Sequence, residues 1–75
     1  MNRTEALAAL KNITTLRTTV HGASLGTGFF FADAATVLGG FDRASRNLSA
    51  LIKVGRVRCT SVQIGATFHD FYAVV

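Results

Sequence analysis

The stretch Phe41-Asp42-Arg43-Ala44-Ser45-Arg46-Asn47-Leu48-Ser49-Ala50-Leu51-Ile52-Lys53-Val54-Gly55-Arg56-Val57 decides how this chain is read. Ala44, Leu48, Leu51 and Ile52 recur at helical spacing, Asp42 is a good N-cap residue, and Gly55 stops the pattern; together they predict a helix over 42–54. With Ala44, Leu48 and Leu51 turned inward, Arg43, Ser45, Arg46, Asn47 and Ser49 fall on exposed or flanking faces, mostly in the N-terminal half.

Downstream, helical period gives way to strand period. Val57, Cys59 and Ser61 alternate with Arg56, Arg58 and Thr60, which places Cys59 on the core side with Val57. A turn is expected at Gly65-Ala66. The return strand, Thr67 to Val74, sets Phe68, Asp70, Tyr72 and Val74 against His69, Phe71 and Ala73, so the two strands form a hairpin.

Upstream, Ala32 to Leu38 reads as a short second helix with Ala34, Ala35 and Leu38 on its inner face, closed by Gly39-Gly40. Gly22 to Gly28 is a connecting loop by composition, opening into Phe29-Phe30-Phe31, where a short edge strand is left open. A phosphate-binding reading of the glycines is weak, because no lysine follows them. Asn2 and Glu5 form a capping-box pair ahead of Ala6, Leu7, Leu10, Ile13, Leu16 and Val20. That first helix ends either near Ile13, because Thr14, Thr15, Thr18 and Thr19 lower helix propensity, or near Val20; the longer version is favoured.

Seventy-five residues, 49% of them apolar and none proline, suit one domain spanning 1–75 with a small packed core. The single cysteine, Cys59, excludes an internal disulfide, and its spacing from His21 and His69 matches no zinc pattern, so no metal or cofactor is expected. The N-terminus lacks an apolar run of signal-peptide length, pointing to a cytoplasmic protein. Ala23 to Phe41 is apolar, but Asp33 at its centre would cost about 2.5–3.5 kcal/mol in a bilayer, so no membrane span is expected. His21 and His69 have no carboxylate and nucleophile at motif spacing, and the four acids are scattered; no enzyme is expected.

The net charge of +4 is unevenly placed. From Arg43 to His69 there are five basic residues, Arg43, Arg46, Lys53, Arg56 and Arg58, and no acid, whereas the first 42 residues are nearly balanced. Such asymmetry suits a polyanionic partner.

The order helix, short strand, helix, helix, strand, strand is similar to the winged helix-turn-helix family of DNA-binding domains. The resemblance runs from Phe29 to Val74: Phe31 to Gly39 looks like the second helix and its closing glycine, Arg43 to Val57 like a recognition helix with its Gly-x-Val entry into the wing, and Tyr72-Ala73-Val74 like the closing wing strand. Two departures stand out: Phe30 where a Ser or Thr usually caps the second helix, and Gly39-Gly40-Phe41 where one glycine is commoner. The resemblance implies an α+β fold, three helices followed by a two-stranded β-hairpin wing.

It further implies a small sequence-specific transcriptional regulator that binds double-stranded DNA as a homodimer. A free-standing domain without a sensor suits a compact genome such as that of a phage, prophage or plasmid. Arg43, Ser45, Arg46, Asn47 and Ser49 would read bases, while Lys53, Arg56, Arg58 and Gln63 would hold the backbone. The alternative is a winged-helix interaction module that binds an acidic host protein instead of DNA. Phe29, Phe30, Phe31, Phe41, Phe68, Phe71 and Tyr72 are expected in the core and hairpin packing, with one of the three consecutive phenylalanines left for a dimer surface.

Overall fold

The computed structural model describes residues 2–18 and 24–75. Val20, His21 and the opening of the expected loop at Gly22 lie outside them. The elements are α1 (Arg3–Ile13), β1 (Thr15–Thr18), β2 (Ser24–Phe30), α2 (Phe31–Leu38), α3 (Phe41–Lys53), β3 (Val57–Ile64) and β4 (Thr67–Val74).

The capping box at the start of α1 is complete: Glu5 N–H donates to Asn2 Oδ1 at 2.8 Å, and Asn2 N–H donates to Glu5 Oε1 at 3.1 Å. The helix stops at Ile13 and does not continue to Val20. Thr14 is extended, its N–H donates to the Lys11 carbonyl, and its hydroxyl donates to the Leu10 carbonyl at 2.8 Å. These bonds satisfy carbonyls of the last turn, and the β-branched Thr15 and Thr18 lie on the strand that follows. Leu16, read as part of the helical stripe, sits on β1 and is exposed.

The sheet has four antiparallel strands in the order β1-β2-β4-β3, so the two-stranded hairpin expected from sequence is part of a larger sheet. β3 and β4 pair from Val57↔Val74 to Ile64↔Thr67, and β2 joins β4 through Phe29↔Tyr72 and Phe30↔Phe71. The segment read as loop is mostly β2, and Phe31, expected in an edge strand, begins α2. The glycines that suggested a loop have another purpose. A Cβ on Gly28 would collide with the Tyr72 carbonyl oxygen and the Phe71 ring, so this strand position is kept bare for a close approach.

Phe29 is fully buried and stacks on Tyr72 with ring centroids 5.7 Å apart. Around them pack Leu10, Leu38, Leu48, Leu51 and Val57, with Ala6, Ala34 and Ala44 fully buried where the helices meet the core. Burial of a side chain such as Phe29 contributes about 1.5–3 kcal/mol. The helices cover only the end of the sheet near Val57 and Tyr72; the far half of the β3–β4 hairpin is mostly exposed, and the molecule measures 37 × 20 × 20 Å. Cys59, expected to face the core, is therefore exposed although it shares a sheet face with Val57.

Between α2 and α3 both turn residues are glycines with positive φ, Gly39 at +84° and Gly40 at +125°. The N–H groups of both donate to the Ala35 carbonyl, and the Gly40 carbonyl accepts the first bond of α3 from Ala44. Gly40, not Asp42, is thus the N-cap; Asp42 lies in the first turn, favourable to the helix dipole. Ile52, assigned to the buried stripe, is exposed. Among the described residues no helix is long and apolar enough to cross a membrane.

Candidate nucleic-acid interface

Helix α3 buries Ala44, Asn47, Leu48 and Leu51. At 100° per residue, Asp42, Arg46, Ser49 and Lys53 then form one row pointing directly away from the core, and all four are exposed. Arg43 flanks this row on the side of α1, and Ser45 flanks it on the side of β4, where it lines a depression with Phe41 and Phe68. Five of the sequence candidates, Arg43, Ser45, Arg46, Ser49 and Lys53, are therefore together on one exposed surface.

Asn47 is not. It is 8% exposed, its Oδ1 accepts from Arg3 Nη1 at 2.9 Å, and its Nδ2 donates to the Arg43 carbonyl at 2.8 Å. The carboxamide is committed to holding α1 against α3, which corrects its assignment as a base reader. The signal was present in the period: Asn47 is three residues from Ala44 and four from Leu51, on the flank of the inner face. Its polar character concealed the position.

Arg3 was not singled out by sequence, yet it belongs to the basic surface. Arg3, Leu38, Arg43, Arg46 and Asn47 line a depression of about 390 Å3. Arg3 also borders a second depression with Thr4, Leu7, Leu51, Val54 and Arg56. One cationic surface thus runs from Arg46 and Arg43 across Arg3 to Arg56.

Arg58 lies elsewhere. It alternates with Val57 on β3 and lines a depression with Leu25, Gly26, Thr27, Thr60, Phe71 and Ala73, on the sheet face away from the helices. It does not join the α3 cluster, contrary to its grouping with Arg56. Gln63 is exposed near the hairpin turn, where its Nε2 donates to the Gly65 carbonyl at 3.1 Å. Asp42, on the outward row of α3, is an acid that sequence reasoning used only as a cap.

The aromatic residues divide. Phe29, Phe71 and Tyr72 are buried as expected, while Phe41 and Phe68 are 72% and 68% exposed, a correction to their placement in the core. Phe41 packs on Phe31 at 4.6 Å between centroids, and both line the depression of about 590 Å3 that includes Phe68, His69 and Asp70. Burial first, then Asp70, pushes the Cys59 thiol up from its ordinary value. Burial first, then Cys59 and Asp70, pushes the Tyr72 phenol up to about 12. Both shifts favour the protonated forms. Among the described residues no three His, Cys, Asp or Glu side chains converge as a metal site; His21 lies outside them.

Compared with known protein families, with curated proteins and with solved structures, the chain finds no match.

Proposed function

We propose that this chain is a small winged-helix protein that binds duplex DNA, with α3 in the major groove, and that it acts as a transcriptional regulator. Two arrangements support the winged-helix reading: the element order from β2 to β4, and the placement of β2 beside β4 and of β4 beside β3. β1 is an addition at the sheet edge.

The single observation that carries DNA binding is the outward row of α3. Arg46, Ser49 and Lys53 have no role in the core, Arg43 stands beside them, and the cationic surface continues to Arg3 and Arg56. Arg46 donates two parallel hydrogen bonds to guanine O6 and N7, serine bonds to several base edges, and Asp42 accepts from cytosine N4. Lys53 and Arg56 hold phosphates, giving affinity without sequence preference. Asn47 and Arg58 drop out of the reading for the geometric reasons above.

The test is an anisotropy titration of the chain against duplex DNA at two salt concentrations. Binding that weakens steeply with salt and is lost in Arg43→Ala plus Arg46→Ala is expected. Absence of binding at low salt overturns the reading. The exposed Phe41 and Phe68 favour a second reading, in which the end of α3 and the hairpin grip a protein partner; loss of that partner in Phe41→Ala, with no DNA binding by the parent chain, would establish it.

A further inference from the structure

We infer that Arg3 and Arg43, beside Arg46, form a pocket for a single backbone phosphate of duplex DNA, and that Asn47 is the positioning residue that holds Arg3 in it. The inference rests on the DNA-binding reading and goes beyond it by naming a ligand group and a residue, Asn47, that the reading does not use.

Three elements build the pocket. Arg3 comes from the first turn of α1, Arg43 and Arg46 from the first half of α3, and Leu38 from the end of α2 forms the floor beside Asn47. The Arg43 side chain folds back over the α2–α3 turn, where a Cβ on Gly39 would stand 3.2 Å from its Nη1; the bare glycine makes room for the guanidinium. No acid is among the lining residues. Cations that line one depression with no carboxylate in the lining repel one another and are stabilised by an anion.

The chemistry favours a phosphodiester. A guanidinium offers five N–H donors in a plane; Arg3 gives one to Asn47 and retains the others. Two non-bridging oxygens with several lone pairs match such convergent, paired donors, and charge-assisted bonds of this kind are the strong ones. Position favours the DNA backbone as the source. The pocket adjoins Arg46, which belongs to the outward row of α3, so a helix seated in the groove brings the flanking strand to Arg3 and Arg43.

Asn47 serves through Arg3. Its Nδ2 is fixed on the Arg43 carbonyl, so its Oδ1 has one direction in which to accept, and it accepts from Arg3. An exposed arginine in a first helical turn would otherwise sample many rotamers, and fixing it lowers the cost of ordering it on binding.

The experiment measures DNA affinity against salt concentration for the parent chain, Arg3→Ala, Arg3→Gln, Asn47→Ala and the Arg3→Ala/Asn47→Ala double variant, each first shown to be folded by circular dichroism. The slope of log K against log salt should fall in magnitude by about 0.9 in both Arg3 variants, one phosphate's worth, with the preference among sequences unchanged. Asn47→Ala should weaken binding in the parent and add nothing in the Arg3→Ala background. Inorganic phosphate, titrated by calorimetry, should bind far more weakly than DNA and should not reproduce the slope change. Salt slopes in both Arg3 variants equal to the parent's overturn the inference while leaving DNA binding intact. Equal weakening by Asn47→Ala in both backgrounds overturns the positioning role, and tight Arg3-dependent binding of inorganic phosphate with an unchanged DNA slope assigns the pocket to a free anion instead. A parent chain that does not bind DNA overturns both readings.

Discussion

Arg3 and Asn47, 44 positions apart in sequence, are joined by a 2.9 Å hydrogen bond from Nη1 to Oδ1 that ties the first turn of α1 to the middle of α3. The donor is charged and the acceptor is buried, so this bond belongs to the stronger class. Asn47→Ala should destabilise the fold by about 1–2 kcal/mol, seen as a lower urea midpoint at unchanged m-value. Arg3→Ala should also cost stability, because it leaves the buried Asn47 Oδ1 without its donor. A double-mutant cycle on stability should show coupling of about 0.5 kcal/mol or more, and strict additivity would mean that the bond contributes nothing.

How far sequence carries is clearest at these same residues. The stripe Ala44, Leu48 and Leu51 marked α3, and the capping box marked the start of α1, because both are local patterns with a fixed period. What was hidden is non-local. Asn47 looked like a base reader until α1 supplied its partner, and Arg3 looked like an ordinary surface charge until α3 arrived beside it. Gly26 and Gly28 looked like loop because the Phe71 ring that requires a bare backbone at Gly28 comes 43 residues later. Cys59 alternated correctly with Val57, but alternation does not say how far along the strand the helices reach.

The chain carries one tyrosine, so ultraviolet titration reads Tyr72 without interference. Its pKa is raised from the ordinary value of 10.0 to about 12, by burial first and then by Cys59 and Asp70. A raised folded value means that the stabilisation is fully present below the unfolded value and is lost as pH rises through the folded one. Native protein should titrate near the upper figure and urea-unfolded protein near the lower. Tm should decline between them, and Tyr72→Phe should flatten that decline.

Cys59 is exposed, yet its thiol is pushed up, by burial first and by Asp70 second. Thiolate is the reactive form, so iodoacetamide at mildly alkaline pH should modify native Cys59 more slowly than the unfolded chain. Asp70→Asn removes the second cause and should speed the native reaction. An unchanged rate in that variant would show that Asp70 exerts no influence across the sheet.

Two glycines should resist substitution for different reasons. Gly40 has φ +125° and ψ 172°, a conformation that side chains do not adopt comfortably, and Gly40→Ala should cost about 1–3 kcal/mol through backbone strain. Gly28→Ala should cost about 1–3 kcal/mol through overpacking against Phe71 and the Tyr72 carbonyl. Phe71→Ala should then rescue part of the second loss and none of the first, measured by thermal melts of the paired variants.

The sheet order sets a timetable for synthesis. β4 follows β2 and β3 in the chain but lies between them in space. As the chain leaves the ribosome, α2 and α3 can form from local contacts, while β2 and β3 each keep an unpaired edge. Tyr72 must emerge before Phe29 has its stacking partner and before the apolar face of the sheet can close. For that interval the nascent protein presents open strand edges and exposed phenylalanine, the combination most prone to capture by a chaperone or by another unfinished copy.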